Sequence, residues 1–121
     1  AILDLDGLKY VNDNFGHDEG DNLIRNFAAG LKTVSRENDL VFRLGGDEFA
    51  VIIKSAQHDV SKSFRNRLLL VVSTLQSNVE YPIDASFGIA QQIHIDGGLT
   101  ECIKVADERM YEHKRSRDME D

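Results

Sequence analysis

Two β-like runs at residues 40–44 and 47–53 are separated only by Gly45 and Gly46, and this pairing constrains the fold more than any other feature of the chain. A Gly-Gly dipeptide supplies the positive φ angles of a two-residue hairpin turn, so the spacing predicts two adjacent antiparallel strands. The flanking segments alternate between strand and helix periods. Residues 1–6 end in Leu3-Asp4-Leu5-Asp6, a short strand with both acids on one face. After a polar, glycine-containing stretch at 7–20, Leu23, Phe27, Leu31 and Val34 recur at helical spacing, with Ile24 and Ala28 widening the stripe. Beyond the hairpin, Val60, Phe64, Leu68, Val71, Leu75 and Val79 predict a second helix that stops before Pro82. Ile83, Ala85, Phe87 and Ile89 then alternate with Asp84, Ser86, Gly88 and Ala90, which predicts a strand with one buried face. Leu99, Ile103, Ala106 and Met110 predict a last helix.

Strand, helix, hairpin, helix, strand is the α+β order of the split βαβ, or ferredoxin-like, arrangement (βαββαβ): an antiparallel sheet flanked by helices, here with an additional C-terminal helix. Its first and third strands are the central pair and run antiparallel. The end of strand one, carrying Asp4 and Asp6, is therefore predicted beside the start of strand three, carrying Asp47 and Glu48.

The chain has 121 residues, enough for one domain (1–121) with one core. A 41% apolar and 29% charged composition is that of a folding, globular chain. The longest apolar runs, at 49–53 and 68–72, fall far short of the roughly 18 residues of a membrane span, so no membrane segment is expected here. The one cysteine, Cys102, makes no internal disulfide or metal cluster and fits a reducing compartment. With 21 acids against 14 bases the net charge is −7, and the bases are scattered, which argues against binding to duplex DNA. An acidic chain that handles phosphates needs metal ions, backbone N–H groups or a few local cations to offset repulsion.

Four converging carboxylates raise one another's pKa unless a cation intervenes. Carboxylate oxygen suits Mg²⁺, which takes one or two protein carboxylates and leaves its other positions to water and substrate phosphates. From spacing alone, a pair of merely acidic, solvated turns accounts for these residues equally well. Seen singly, Asn12 reads as a loop Asx turn, Asp21 as a helix cap, and Arg36 with Asp39 as an exposed ion pair.

Taken together, the residues resemble a known family. Arg43-Leu44-Gly45-Gly46-Asp47-Glu48-Phe49 contains the signature of the GGDEF family, the diguanylate cyclases. Residues 4–13 and 15–21 resemble the family's first strand and nucleotide loop, Ala85-Ser86-Phe87-Gly88-Ile89-Ala90 its penultimate strand, and Ala106-Asp107, Met110-Tyr111 and Lys114 its last helix. The resemblance implies a palm-like fold and condensation of two GTP molecules into cyclic di-GMP with release of pyrophosphate, across a homodimer in which each domain holds one GTP. It implies a bacterial, cytoplasmic signalling protein with attached sensor or effector domains. By position, Asp4, Asp47 and the Leu5 carbonyl match the ligands of Mg²⁺ (or Mn²⁺), and Asp47 and Glu48 the catalytic signature acids. Asn12 and Asp21 match guanine readers, Leu8 and Lys9 a phosphate cradle, and Lys114 a phosphate contact. Arg36, Asp39 and Arg67 match the site through which cyclic di-GMP inhibits its own synthesis.

The chain departs from the family pattern in three places. The helix with a Leu-Thr-Gly-Leu motif that precedes the first strand lies outside the sequence, Leu8 stands where the family has Phe, and Asp118 follows Arg117 where the family has a phosphate-binding arginine. The second reading consistent with Asp118 is a non-catalytic regulatory module that binds GTP or cyclic di-GMP; a scaffold with no nucleotide role is a third.

Overall fold

The strand Ile2–Asp6 (β1) is buried along almost its whole length, on both of its faces, and the rest of the fold follows from how those faces are covered. The computed structural model describes residues 1–37, 39–53, 60–91 and 98–119. In chain order the elements are β1, α1 (Leu8–Phe15), α2 (His17–Val34), β2 (Leu40–Gly45), β3 (Glu48–Ile52), α3 (Val60–Gln76), β4 (Asp84–Gly88) and α4 (Gly98–Met119). The strands form one antiparallel sheet in the order β2-β3-β1-β4, so β1 and β3 are the central pair, as the split βαβ order predicts. No helix among the described residues is long and apolar enough to cross a membrane.

Alternation along β1 sends Leu3 and Leu5 to one face and Ile2, Asp4 and Asp6 to the other. Leu3 and Leu5 meet Phe49 and Val51 of β3 and Ala85 of β4 in the main core, covered by Leu23, Phe27 and Leu31 of α2 and Phe64, Leu68 and Val71 of α3. On the opposite face a smaller cluster joins Ile2 to Ala106 and Met110 of α4.

The structure corrects several expectations. The 7–20 stretch is not a loop: Gly7, at φ 87°, turns the chain out of β1 directly into α1, and the amide of Val11 donates to the Gly7 carbonyl at 3.1 Å to close the first turn. Only Val11 of α1 is buried, so this two-turn helix offers no apolar period to read. A second left-handed glycine, Gly16 at φ 92°, separates α1 from α2, which starts six residues before its first core residue, Leu23. Asp18 and Glu19 lie in the first turn of α2, where carboxylates are favoured by the helix dipole.

The hairpin forms, but its turn is not the predicted one. Pairing runs Arg43↔Phe49 and then Gly45↔Glu48, leaving Leu44 as a bulge and the turn at Gly46 and Asp47. Neither Gly45 nor Gly46 adopts a positive φ; among the described residues only Gly7, Gly16 and Gly98 do. The turn is held instead by the Arg43 guanidinium, which donates to the Gly46 carbonyl from Nε (3.2 Å) and Nη2 (2.9 Å).

β4 is buried on both faces rather than one, with Ser86 fully enclosed, because α4 lies directly on it. A Cβ on Gly88 would collide with the Ala106 carbonyl and the Met110 amide. The inner stripe of α4 is accordingly Cys102, Ala106 and Met110, whereas Leu99 and Ile103, expected inside, are exposed.

Candidate active site at the sheet rim

The face of β1 that α4 covers begins apolar at Ile2 and becomes acidic at Asp4 and Asp6. Register places Asp4 opposite Glu48 on β3 and opposite Ser86 on β4, and the Leu5 amide donates to the Asp47 carbonyl at 2.7 Å. The predicted convergence of Asp4, Asp6, Asp47 and Glu48 is therefore present.

Asp4 is 9% exposed, and its two oxygens are used differently. Oδ2 accepts from the Lys114 ammonium at 2.6 Å, whereas Oδ1 is buried with no partner among the described residues. An unpaired buried carboxylate oxygen costs free energy unless a donor or cation meets it. Lys114 also lies 3.8 Å from Asp6 Oδ1, and Asp6 Oδ2 accepts from the Ser86 hydroxyl at 2.8 Å. Burial, and after it the Asp4 charge, push the Asp47 carboxyl above the ordinary carboxylate range. Glu48 moves the same way, through burial first and then the charges of Asp107, Asp4 and Asp47. Lys114 is held above its ordinary value chiefly by its bond to Asp4, against an opposing desolvation.

Lys114 reaches this rim because 102, 106, 110 and 114 form one i+4 series, so the lysine continues the buried stripe of α4 one turn past Met110. The neighbouring His113 fixes that turn. Its Nδ1 accepts the Phe87 amide at 3.1 Å, and its ring packs edge-on against Phe87 at a centroid distance of 4.8 Å.

Among the described residues no three Asp, Glu, His or Cys side chains form a ready metal cage. The donor set fits Mg²⁺ or Mn²⁺ nonetheless. These ions are content with one or two carboxylates plus water and phosphate, and the rim offers the bare Asp4 Oδ1 beside Asp47. Asp4, Asp47 and the Leu5 carbonyl at the same strand end would hold the ion.

Leu8 and Lys9 begin α1, where the first amides of a helix have no partner within it. Asn12 on α1 lies directly against Gly20 of α2, where a Cβ would collide with its amide oxygen, and Asp21 is the next residue along α2. Asp21 is an exposed residue inside α2 rather than its cap. Arg36, Asp39 and Arg67 gather at the C-terminal end of α2. Asp39 Oδ2 accepts the Arg36 amide at 2.9 Å, and Arg67 Nη1 donates to the Val34 carbonyl at 3.2 Å. This is the opposite end of the hairpin from Asp47, next to the Leu40↔Ile52 pair.

Sequence reasoning left Ser86 and Asp107 out, and gave Asp6 no role beyond the acidic cluster. The signal for Ser86 was present: a hydroxyl in the strand beside β1, on the face that alternation had assigned to solvent.

These features define an α+β protein with an oxygen-rich acidic site at one rim of its central strands, capped by a lysine. The chain matches the family described as "Diguanylate cyclase, GGDEF domain" over residues 1–120. It is 35% identical over 119 residues to the diguanylate cyclase VdcA of Vibrio cholerae, covering 93% of this chain and 35% of VdcA. A truncated form of YfiN (TpbB) from Pseudomonas aeruginosa comprising only the GGDEF domain superposes with a TM-score of 0.85 at 30% identity, covering 95% of this chain and 69% of that one. The GGDEF domain of DgcB from Caulobacter crescentus, solved in complex with c-di-GMP, superposes with a TM-score of 0.77 at 29% identity, covering 95% and 70%. The chain belongs to the GGDEF family of diguanylate cyclases. It spans between 16% and 38% of the length of the curated relatives it matches.

Proposed function

We propose that this domain condenses two GTP molecules into cyclic di-GMP, two copies of the chain each presenting one GTP to the other. The observation that carries this reading is the buried, partnerless Asp4 Oδ1 beside Asp47 at the strand rim. In the reaction the 3′-oxygen of one GTP attacks the α-phosphorus of the other, the P–O bond to pyrophosphate breaks, and the 3′-hydroxyl proton leaves. The reciprocal attack, the second such transfer, closes the ring and releases the second pyrophosphate. Positioning and charge neutralisation dominate such a transfer. A divalent ion, when bound, supplies Lewis-acid neutralisation of the phosphates.

The chain's own groups would do the rest. Asp47, whose proton affinity is raised, stands at the turn where the 3′-hydroxyl proton is received, with Glu48 beside it. The amides of Leu8 and Lys9 cradle phosphate oxygens at the start of α1. Asn12 and Asp21 read guanine, the carboxylate accepting from N1 and N2 hydrogens. Arg36, Asp39 and Arg67 bind the cyclic product as an inhibitory site, the planar guanidinium forks matching guanine edges and phosphates. Homodimerisation, a cytoplasmic location and covalently attached sensor or effector domains belong to the same reading.

The test is incubation of a dimeric form, carrying the segment that precedes β1 in the family, with GTP and Mg²⁺, followed by chromatography. Cyclic di-GMP is expected, with turnover reduced at least about 100-fold by Asp47→Asn. Absence of product in the dimer would remove the catalytic reading. Gly20→Ala, which occupies the space of the Asn12 amide, is expected to weaken GTP binding while leaving the fold intact, as read by KM and by circular dichroism.

Asp118, standing where the family has a phosphate-binding arginine, favours a second reading, a regulatory module that binds guanine nucleotide without turnover. Calorimetric binding with background turnover would select it, and turnover abolished by Asp47→Asn would exclude it.

A further inference from the structure

Among the described residues Lys114 is the cation paired with the acidic rim, and its geometry is that of a counter-ion rather than of an outward-facing phosphate ligand. Its Nζ sits 2.6 Å from Asp4 Oδ2 and 3.8 Å from Asp6 Oδ1, between the carboxylate assigned to the metal and its neighbour on the same face of β1. Both carboxylates are pre-set. Asp6 is braced by the fully buried Ser86 hydroxyl, and Asp4 is buried, its Oδ1 included, although that oxygen has no hydrogen-bond partner among the described residues. The lysine is less confined, since its side chain remains 37% exposed on a flexible four-carbon stem. One end of the ion pair is thus fixed by the sheet and the other is free to swing.

We propose that Lys114 is an exchangeable counter-ion: it neutralises the Asp4–Asp6 pair when no divalent ion is present, and is displaced outward, toward anionic phosphate, when one enters. A single side chain would then couple the two halves of substrate binding. Metal entry at Oδ1 frees the ammonium for the triphosphate, and the triphosphate, by drawing the ammonium off Oδ2, removes a positive charge that competes with the metal for Asp4. By thermodynamic linkage each would favour the other. The inference rests on the proposed catalytic reading, with Asp4 as a ligand of its divalent ion, and adds the regulation of that site.

The coupling is tested with Mn²⁺ alone, in the absence of nucleotide, titrated calorimetrically into the full chain as wild type, Lys114→Met, Lys114→Arg and Asp4→Asn. Lys114→Met is expected to bind Mn²⁺ about fivefold more tightly than wild type, the gain from removing a partly exposed competitor. Lys114→Arg, which keeps the charge, is expected to show no gain. Because loss of a positive charge alone would also raise affinity, a second measurement follows the ammonium directly. The Lys114 ¹⁵Nζ resonance of the wild type is expected to move from an ion-paired position to that of the exposed lysines as Mg²⁺ is added. It also stands if Lys114→Met fails to fold. Unchanged or weaker Mn²⁺ binding by folded Lys114→Met, or a ¹⁵Nζ resonance that stays in place while Mg²⁺ binds, would overturn the proposal. If Asp4→Asn leaves Mn²⁺ affinity at the wild-type value, it is the ligand assignment itself that fails.

Discussion

The two faces of the sheet are built from the same strands and do opposite work. Under α2 and α3, Leu3, Leu5, Phe49, Val51 and Ala85 close a core with no charged member, in which the Phe27 and Phe49 rings pack 5.2 Å apart between centroids. Under α4, one residue further along each strand, the apolar contact shrinks to Ile2, Ala106 and Met110 and gives way to Asp4, Asp6 and Glu48. Stability is concentrated on the first face, and charge that opposes folding on the second. The carboxylates of this rim are partly desolvated and repel one another, as the proposed cation site requires, and the core across the strand offsets that cost.

The sharpest way to break this contrast is to damage the apolar face. Phe27→Ala is expected to cost about 3–5 kcal/mol in urea unfolding, enough to unfold much of a marginally stable domain. On the α4 face, Gly88→Ala drives a methyl group into the helix backbone at Ala106 and Met110. It is expected to cost about 1–3 kcal/mol, or to lift α4 from the sheet, seen as loss of the ion pair between Lys114 and Asp4. Asp47→Asn should act in the reverse direction. By removing a repelled charge it is expected to stabilise the metal-free chain at pH 7 by less than about 1 kcal/mol while abolishing activity; a loss of stability would contradict the division of labour between the faces.

The smallest effect is the dependence on pH. Asp47 and Glu48 have folded pKa values above their ordinary 3.8 and 4.5, so across that interval the folded state binds more protons than the unfolded one. Stability from these two groups therefore rises as pH falls through their folded values, opposite to the usual carboxylate. The advantage of Asp47→Asn over wild type should shrink across the same window and vanish below it, as read from urea midpoints of the two proteins measured in parallel. Lys114 shares the sign of this dependence but acts in a far higher range. Raised above 10.5, it contributes stability that is complete below that value and is lost as pH rises through its folded value.

Legibility from sequence followed the same division. The stripes of α2 and α3 and the hairpin were readable because each buries one face against one partner, which leaves a clean period. The face under α4 was less readable. Ser86 and Gly88 are polar or small residues buried by a helix that approaches too closely for larger ones, so alternation assigned them to solvent. Leu99 and Ile103 misled for a related reason, since the true stripe of α4 passes through Cys102 and ends in Lys114. α1 was missed because a two-turn helix with one buried residue carries no period, and the positive φ expected at Gly45 and Gly46 was supplanted by the Arg43 clamp.

By itself the sequence determined the order of elements, the central antiparallel pair and hence the meeting of Asp4 and Asp6 with Asp47 and Glu48, because strand period and hairpin connection are local properties. Only the tertiary structure decided which oxygen of Asp4 is left bare, that Ser86 braces Asp6, and that a lysine 110 residues away closes the cluster. Those outcomes depend on how α4 docks across β4 and β1, a contact between parts of the chain too distant for any local pattern to record.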